Sequence, residues 1–256
     1  MEKIKVAAVS YLNTKPFLFG IERSAVRNNI ELLLHQPSTI ADDLLRGRID
    51  VGLVPISMIS QLKESHVISD FGICCDGEVG SVVICSQVPL EDSQRLSLDY
   101  QSRTSVALAQ LLIKDFWKVS PQIIQASPGY EKQVMGKYAG LFIGDRALKL
   151  KHRYDYCYDL GEAWKEFTGR PFVFACWVAN KKLTDEFVLD LNEALASGVS
   201  NIDEVTNQQQ PFFPETDVKD YLTNKIQFVI DDKRKEAMNF FLQTTGQQEK
   251  IPSIKL

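Results

Sequence analysis

The chain has 256 residues, 45% hydrophobic and 24% charged, with 33 Asp and Glu against 29 Lys and Arg for a formal charge of −4. This is an ordinary globular composition, and the length suggests about two domains. The acidic balance argues against nucleic acid or a membrane surface as partner, because both are polyanionic and need a basic face; any anionic ligand must meet local positive potential instead.

No basic n-region followed by an apolar stretch opens the sequence, and no window reaches the roughly 20 apolar residues of a membrane span, so a cytoplasmic protein is expected. The five cysteines, Cys74, Cys75, Cys85, Cys157 and Cys176, are odd in number and lack CxxC spacing. Neither a disulfide framework nor a zinc site is therefore expected.

Strand and helix patterns alternate from the start: strand 3–9, helix 15–26, strand 30–35, helix 38–46, strand 49–54, helix 56–63. Such βαβ order implies a parallel sheet. Gly47 reads as a helix C-cap, and Pro55 ends the following strand. The first strand runs straight into the polar turn Ser10–Pro16, at the kind of strand end where ligands collect in open α/β sheets.

Two β-rich runs, 71–75 and 81–85, flank Asp76-Gly77-Glu78-Val79-Gly80 and predict an antiparallel pair. A second α/β set follows, with strands at 95–99, 121–125, 139–143 and 155–159 and helices at 104–117, 129–137, 145–150 and 161–167. Strand 172–179 then leads into a helical tail, at 184–198, 200–209, 214–223 and 231–244. A block flanked by 81–86 and 172–179 reads as an insertion, which leaves two crossing segments and hence a hinge over a cleft. The predicted domains are 1–86 plus 176–256, and 87–175.

Several residues along this path suit a ligand site. Ser102-Arg103-Thr104-Ser105 opens a helical stretch, where cap hydroxyls, free N–H groups and Arg103 make a carboxylate or phosphate pocket or an ordinary helix cap. Gly144 and Asp145 follow an apolar strand; the glycine permits close backbone approach, and the acid caps the helix or accepts a substrate hydroxyl. Arg146 reads as a surface charge. The Asn13 amide can donate and accept at once, or serve the turn before Pro16, while Ser81 reads as a strand-edge hydroxyl. Asp159 and Glu162 stand at a helix start with the option of facing the cleft.

His35, His66 and His152 read as structural or solvated, and no GxSxG, GxGxxG, P-loop or HExxH occurs. Triad hydrolysis, dinucleotide chemistry and zinc catalysis are disfavoured, and neither a metal nor a cofactor is expected.

Taken together, Val9–Pro16, Leu45–Ser57, Ser102–Ser105, Ile143–Asp145 and Leu160–Trp164 resemble the chorismate dehydratase family of the futalosine route to menaquinone. The resemblance implies an α/β, two-domain, type II periplasmic-binding-protein-like fold with a hinge and an interdomain cleft. It implies a hydro-lyase that removes the C3 proton and C4 hydroxyl of chorismate to give 3-[(1-carboxyvinyl)oxy]benzoate, driven by aromatisation and without a cofactor. By similarity, Asn13 and Ser81 form the polar catalytic pair. The Thr104/Ser105 helix end, with Arg103, would hold one of the two carboxylates, Ser57 would also bind substrate, and Gly144 and Asp145 would line the opposite wall. Neither Asn13 nor Ser81 is a strong base, so a carboxylate of the substrate itself becomes the proton acceptor. The expected partner is thus a small dicarboxylate, with a homodimer left open. A non-catalytic small-anion-binding protein of the same fold and the related 1,4-dihydroxy-6-naphthoate-forming enzyme are the alternatives.

Overall fold

The computed structural model describes residues 3–246. In chain order the first elements are β1 (Ile4–Ala8), α1 (Lys15–Arg23), β2 (Ile30–Leu34), α2 (Pro37–Leu45), β3 (Val51–Pro55), β4 (His66–Cys75) and β5 (Val82–Ser86). Next come β6 (Arg95–Leu98), α3 (Arg103–Leu111), β7 (Gln122–Gln125), β8 (Tyr138–Ile143), α4 (Gly144–Leu150), β9 (Tyr156–Asp159), α5 (Leu160–Thr168) and β10 (Phe172–Ala179). The last part holds α6 (Asp185–Ser200), α7 (Ile202–Gln209), α8 (Val218–Asp220), β11 (Gln227–Val229) and α9 (Asp232–Thr244).

The strands form a six-stranded sheet, β11-β4-β10-β3-β1-β2, and a five-stranded sheet, β7-β6-β8-β5-β9. In the first, β2 and β3 run parallel to β1, as the βαβ order predicts. Val6, Ala7, Ala8, Val51 and Val54 are fully buried there, the pattern of strands covered on both faces. In the second, β7 and β8 run parallel to β6. Antiparallel strands complete each sheet: β10, β4 and β11 in one, β5 and β9 in the other.

Two connections cross between the sheets. One leaves β4 through Asp76–Ser81 and enters β5; the other leaves α5 and enters β10. The predicted antiparallel pairing of 71–75 with 81–85 is therefore corrected. Asp76–Ser81 is an intersheet crossing and not a hairpin turn, so β4 pairs with β10 and β11 while β5 pairs with β8 and β9. Sheet membership also moves both ends of the expected insertion, since β5 belongs to the second sheet and β10 to the first.

Other expectations shift locally. The helix expected over 129–137 is a single tight turn at Tyr130–Gln133, ahead of Gly136, which has φ +57°. The helix expected over 214–223 is the short α8 continued by a wide turn at Tyr221–Lys225, and β11 follows it unforeseen. Cys85 and Cys157 stand directly opposite on β5 and β9, Cα–Cα 4.3 Å, and form a disulfide, contrary to the reading from cysteine count and spacing. Cys74, Cys75 and Cys176 are free and buried.

Candidate active site

The cavity of interest opens where the carboxyl ends of β1 and β3 face the starts of α3 and α4. Its polar lining is Tyr11, Asn13, Thr14, Ser81, Ser102 and Ser105; Leu53, Ile73, Val79, Ile143 and Phe174 form much of its apolar lining. The empty space is ≈ 590 Å³ including its open mouth. Among the described residues, none in the lining is charged. An anion entering here would meet hydroxyls, amides and helix N–H groups rather than a guanidinium or ammonium.

Asn13 comes from the turn after β1, where Leu12–Thr14 makes a single tight turn before Pro16 opens α1. The Thr14 hydroxyl donates to Asn13 Oδ1 at 3.2 Å, which leaves the Asn13 NH₂ as donor. Ser81 sits at the end of the crossing segment, 1% exposed, its carbonyl accepting from Gly144 N–H at 2.8 Å. Ser102 caps α3: its Oγ accepts from Ser105 N–H at 3.1 Å and donates to Ser105 Oγ at 2.9 Å. Gly144 reaches the wall because its φ of +56° turns β8 sharply into α4.

Four of the expected residues do something else. The Thr104 hydroxyl accepts from Ser57 N–H and donates to Ser57 Oγ, both at 3.1 Å. This buried pair joins α3 to the end of β3, and neither residue lines the cavity. Arg103 turns away to Asp42 at 2.8 Å and Gln61 at 3.1 Å, where its side chain is 37% exposed. Asp145 neither caps α4 nor lines the cavity; its Oδ1 accepts from Leu12 N–H at 2.8 Å. Burial raises the Asp145 pKa, offset in part by that N–H and by Lys149 and Lys15.

Arg146 is a correction: it is not a surface charge but pairs with fully buried Asp99 at 2.9 Å and with Tyr100 at 3.2 Å. Asp159 caps α5 through Gly161 and Glu162 N–H and reaches Val79 and Gly80 N–H, so one carboxylate pins the crossing segment to the second sheet. Burial raises its pKa to about 6 against the lowering by those N–H groups.

The sequence reading missed Tyr11, Gln101 and Tyr221. The Tyr11 hydroxyl donates to Gln101 Oε1 at 2.6 Å, and the Tyr221 hydroxyl donates to Ser81 Oγ at 2.8 Å. Tyr11 lies inside the polar turn after β1, so position alone was a signal for it. Tyr221 lies in the tail, 140 residues from Ser81, and carried none.

The sequence family described as menaquinone biosynthesis matches residues 4–247. The chain belongs to that menaquinone biosynthesis family. Curated relatives include a chorismate dehydratase of Campylobacter jejuni, 28% identical over 251 residues that cover 92% of this chain and 94% of the relative. Another is a chorismate dehydratase of Thermus thermophilus, 29% identical over 232 residues, 76% of this chain and 82% of that one. Among solved structures, a protein of Archaeoglobus fulgidus superposes with TM-score 0.74 at 15% identity, covering 95% of this chain and 98% of its own. The alkanesulfonate-binding protein SsuA of Xanthomonas axonopodis, bound to MOPS, gives 0.67 at 10% identity, with coverage of 98% and 95%. At such identities the structural likeness shows the fold, a two-domain type II periplasmic-binding-protein-like one. Among the described residues of this menaquinone biosynthesis family member, no helix is long and apolar enough to cross a membrane, and no group of three His, Cys, Asp or Glu is placed to hold a metal ion.

Proposed function

We propose that the chain is a chorismate dehydratase, a carbon–oxygen lyase acting on the futalosine route to menaquinone in the cytoplasm. The observation that carries this reading is the cavity with Asn13 and Ser81 on its walls and, among the described residues, no carboxylate, imidazole or ammonium in its lining. Chorismate brings two carboxylates and an alicyclic ring. The cap of α3, with Ser102, Ser105 and the first-turn N–H groups, suits one carboxylate. The apolar wall of Leu53, Ile73, Val79 and Phe174 suits the ring.

The reaction balances without a co-reactant. The C3–H bond breaks, its electron pair forms the C3–C4 double bond, and the C4–O bond breaks to release hydroxide that leaves as water with the proton. The ring becomes aromatic. With no base in the lining, the side-chain carboxylate of the substrate takes the C3 proton, Ser81 donates to the leaving C4 oxygen, and Asn13 orients the ring and its ether arm. The protein supplies alignment and exclusion of water, for which the cross-cleft bonds Leu12–Asp145, Tyr11–Gln101 and Ser57–Thr104 are suited.

The test is to offer purified protein chorismate and, separately, the nucleoside-derived precursor of 1,4-dihydroxy-6-naphthoate. The reading predicts conversion of chorismate alone. Conversion of the second compound alone would assign the naphthoate-forming reaction, and binding of chorismate without loss of its ultraviolet absorbance would leave a binding protein.

A further inference from the structure

Behind Ser81, outside the cavity lining, stands a tyrosine. Tyr221 begins the wide turn Tyr221–Lys225 of the C-terminal segment and is 2% exposed. Its backbone is held at both ends: its N–H donates to Asp217 O at 3.0 Å, and its carbonyl accepts from Ile226 N–H at 2.9 Å. The phenol therefore has a fixed place, and its oxygen is spent on the cavity wall. It donates to Ser81 Oγ at 2.8 Å. A phenylalanine would fill the same volume, so packing alone does not explain the oxygen.

The direction of the bonds follows from donor counting. A phenol carries a single proton, and the Tyr221 hydroxyl gives it to Ser81 Oγ. Ser81 thereby has an acceptor lone pair occupied from behind, and its own O–H is left for the cavity. The Tyr221–Ser81 pair therefore ends in a donor facing the ligand.

We propose that Tyr221 is a positioning residue for the elimination, acting through Ser81 by fixing it as the hydrogen-bond donor to the leaving hydroxyl. This rests on the dehydratase reading. Tyr221 touches no substrate atom; it sets the orientation of one that does, and it ties the C-terminal segment into the site.

The experiment is steady-state and single-turnover kinetics on chorismate for the wild type, Tyr221→Phe, Ser81→Ala and the double variant, each with a melting temperature. Tyr221→Phe keeps the ring that fills the site, so the fold is retained. Its kcat should fall about 10- to 100-fold, less than the 10²–10³ typical of losing a donor on the reacting oxygen itself. KM should stay within about threefold, because the lost interaction strengthens only in the transition state. In the Ser81→Ala background the same change should cost less than about twofold, as for two residues acting through one bond. A wild-type kcat in Tyr221→Phe overturns the assignment, and so does an equal loss with and without Ser81. A wild-type chain that leaves chorismate intact overturns the dehydratase reading itself, which separates the two failures.

Discussion

Tyr11 rests on Gly144 so closely that a Cβ on the glycine would stand 2.7 Å from two ring carbons of the tyrosine. One residue belongs to the turn after β1 and the other to the turn into α4, so the contact closes the cavity between the sheets. Gly144 also holds φ +56°, a region that costs a residue with a Cβ about 1–2 kcal/mol.

Gly144→Ala should therefore strain its own backbone and push Tyr11 off Gln101. We expect a fall of about tenfold in kcat/KM, carried mainly by KM, with a stability loss of about 1–3 kcal/mol. Kinetics and urea unfolding on the same preparation check this, and an unchanged KM would show that the contact does not shape the cavity.

Arg103 separates the sequence expectation from the structure. A guanidinium holding a substrate carboxylate makes charge-assisted bonds, and its removal would cost about 100-fold in KM. The structure instead pairs Arg103 with Asp42 near solvent, an arrangement worth little once screened. Arg103→Ala should change KM for chorismate less than about fivefold. A larger loss would mean that Arg103 swings into the cavity when substrate binds.

Asn13→Ala and Ser81→Ala should each lower kcat about 100-fold or more, while the melting temperature moves by only a few degrees. Both side chains line the cavity, so truncation opens no closed core void, and the Tyr221 hydroxyl left unpaired by Ser81→Ala accounts for the few degrees. Near-normal turnover in both variants would remove them from the chemistry.

Asp159 gives a pH signature. Its pKa in the fold is raised to about 6 from 3.8, so the folded state favours the protonated form more than the unfolded chain does. Its contribution is present below the unfolded value and is lost as pH rises through about 6, up to about 3 kcal/mol in all. In urea unfolding, the wild type should lose stability relative to Asp159→Asn between about pH 4 and pH 7, and the difference should be flat above that. A wild-type advantage over Asp159→Asn that rises with pH would show the four N–H bonds outweighing burial.

The parallel parts of both sheets were legible because βαβ periodicity is local, and β1 to β3 follow from apolar runs punctuated by Gly47 and Pro55. Pairing of β4 with β5 was not, because nothing in Asp76–Gly80 distinguishes a hairpin turn from a crossing between sheets. Of the site, residues at strand ends were readable, and Asn13, Ser81, Ser105 and Gly144 do line one cavity. Side-chain direction was not: Arg103 and Asp145 sit at the foreseen places and turn to Asp42 and Leu12. Tyr221 depends on a contact between residues far apart in sequence, which no local pattern reports.

The most direct test of the account is the mass of the product formed when purified protein and chorismate are incubated together without added cofactor. The account predicts an aromatic ether lighter than chorismate by one water, formed by the wild type and strongly reduced in Ser81→Ala. Chorismate recovered unchanged, or converted to a compound of the same mass, would contradict it.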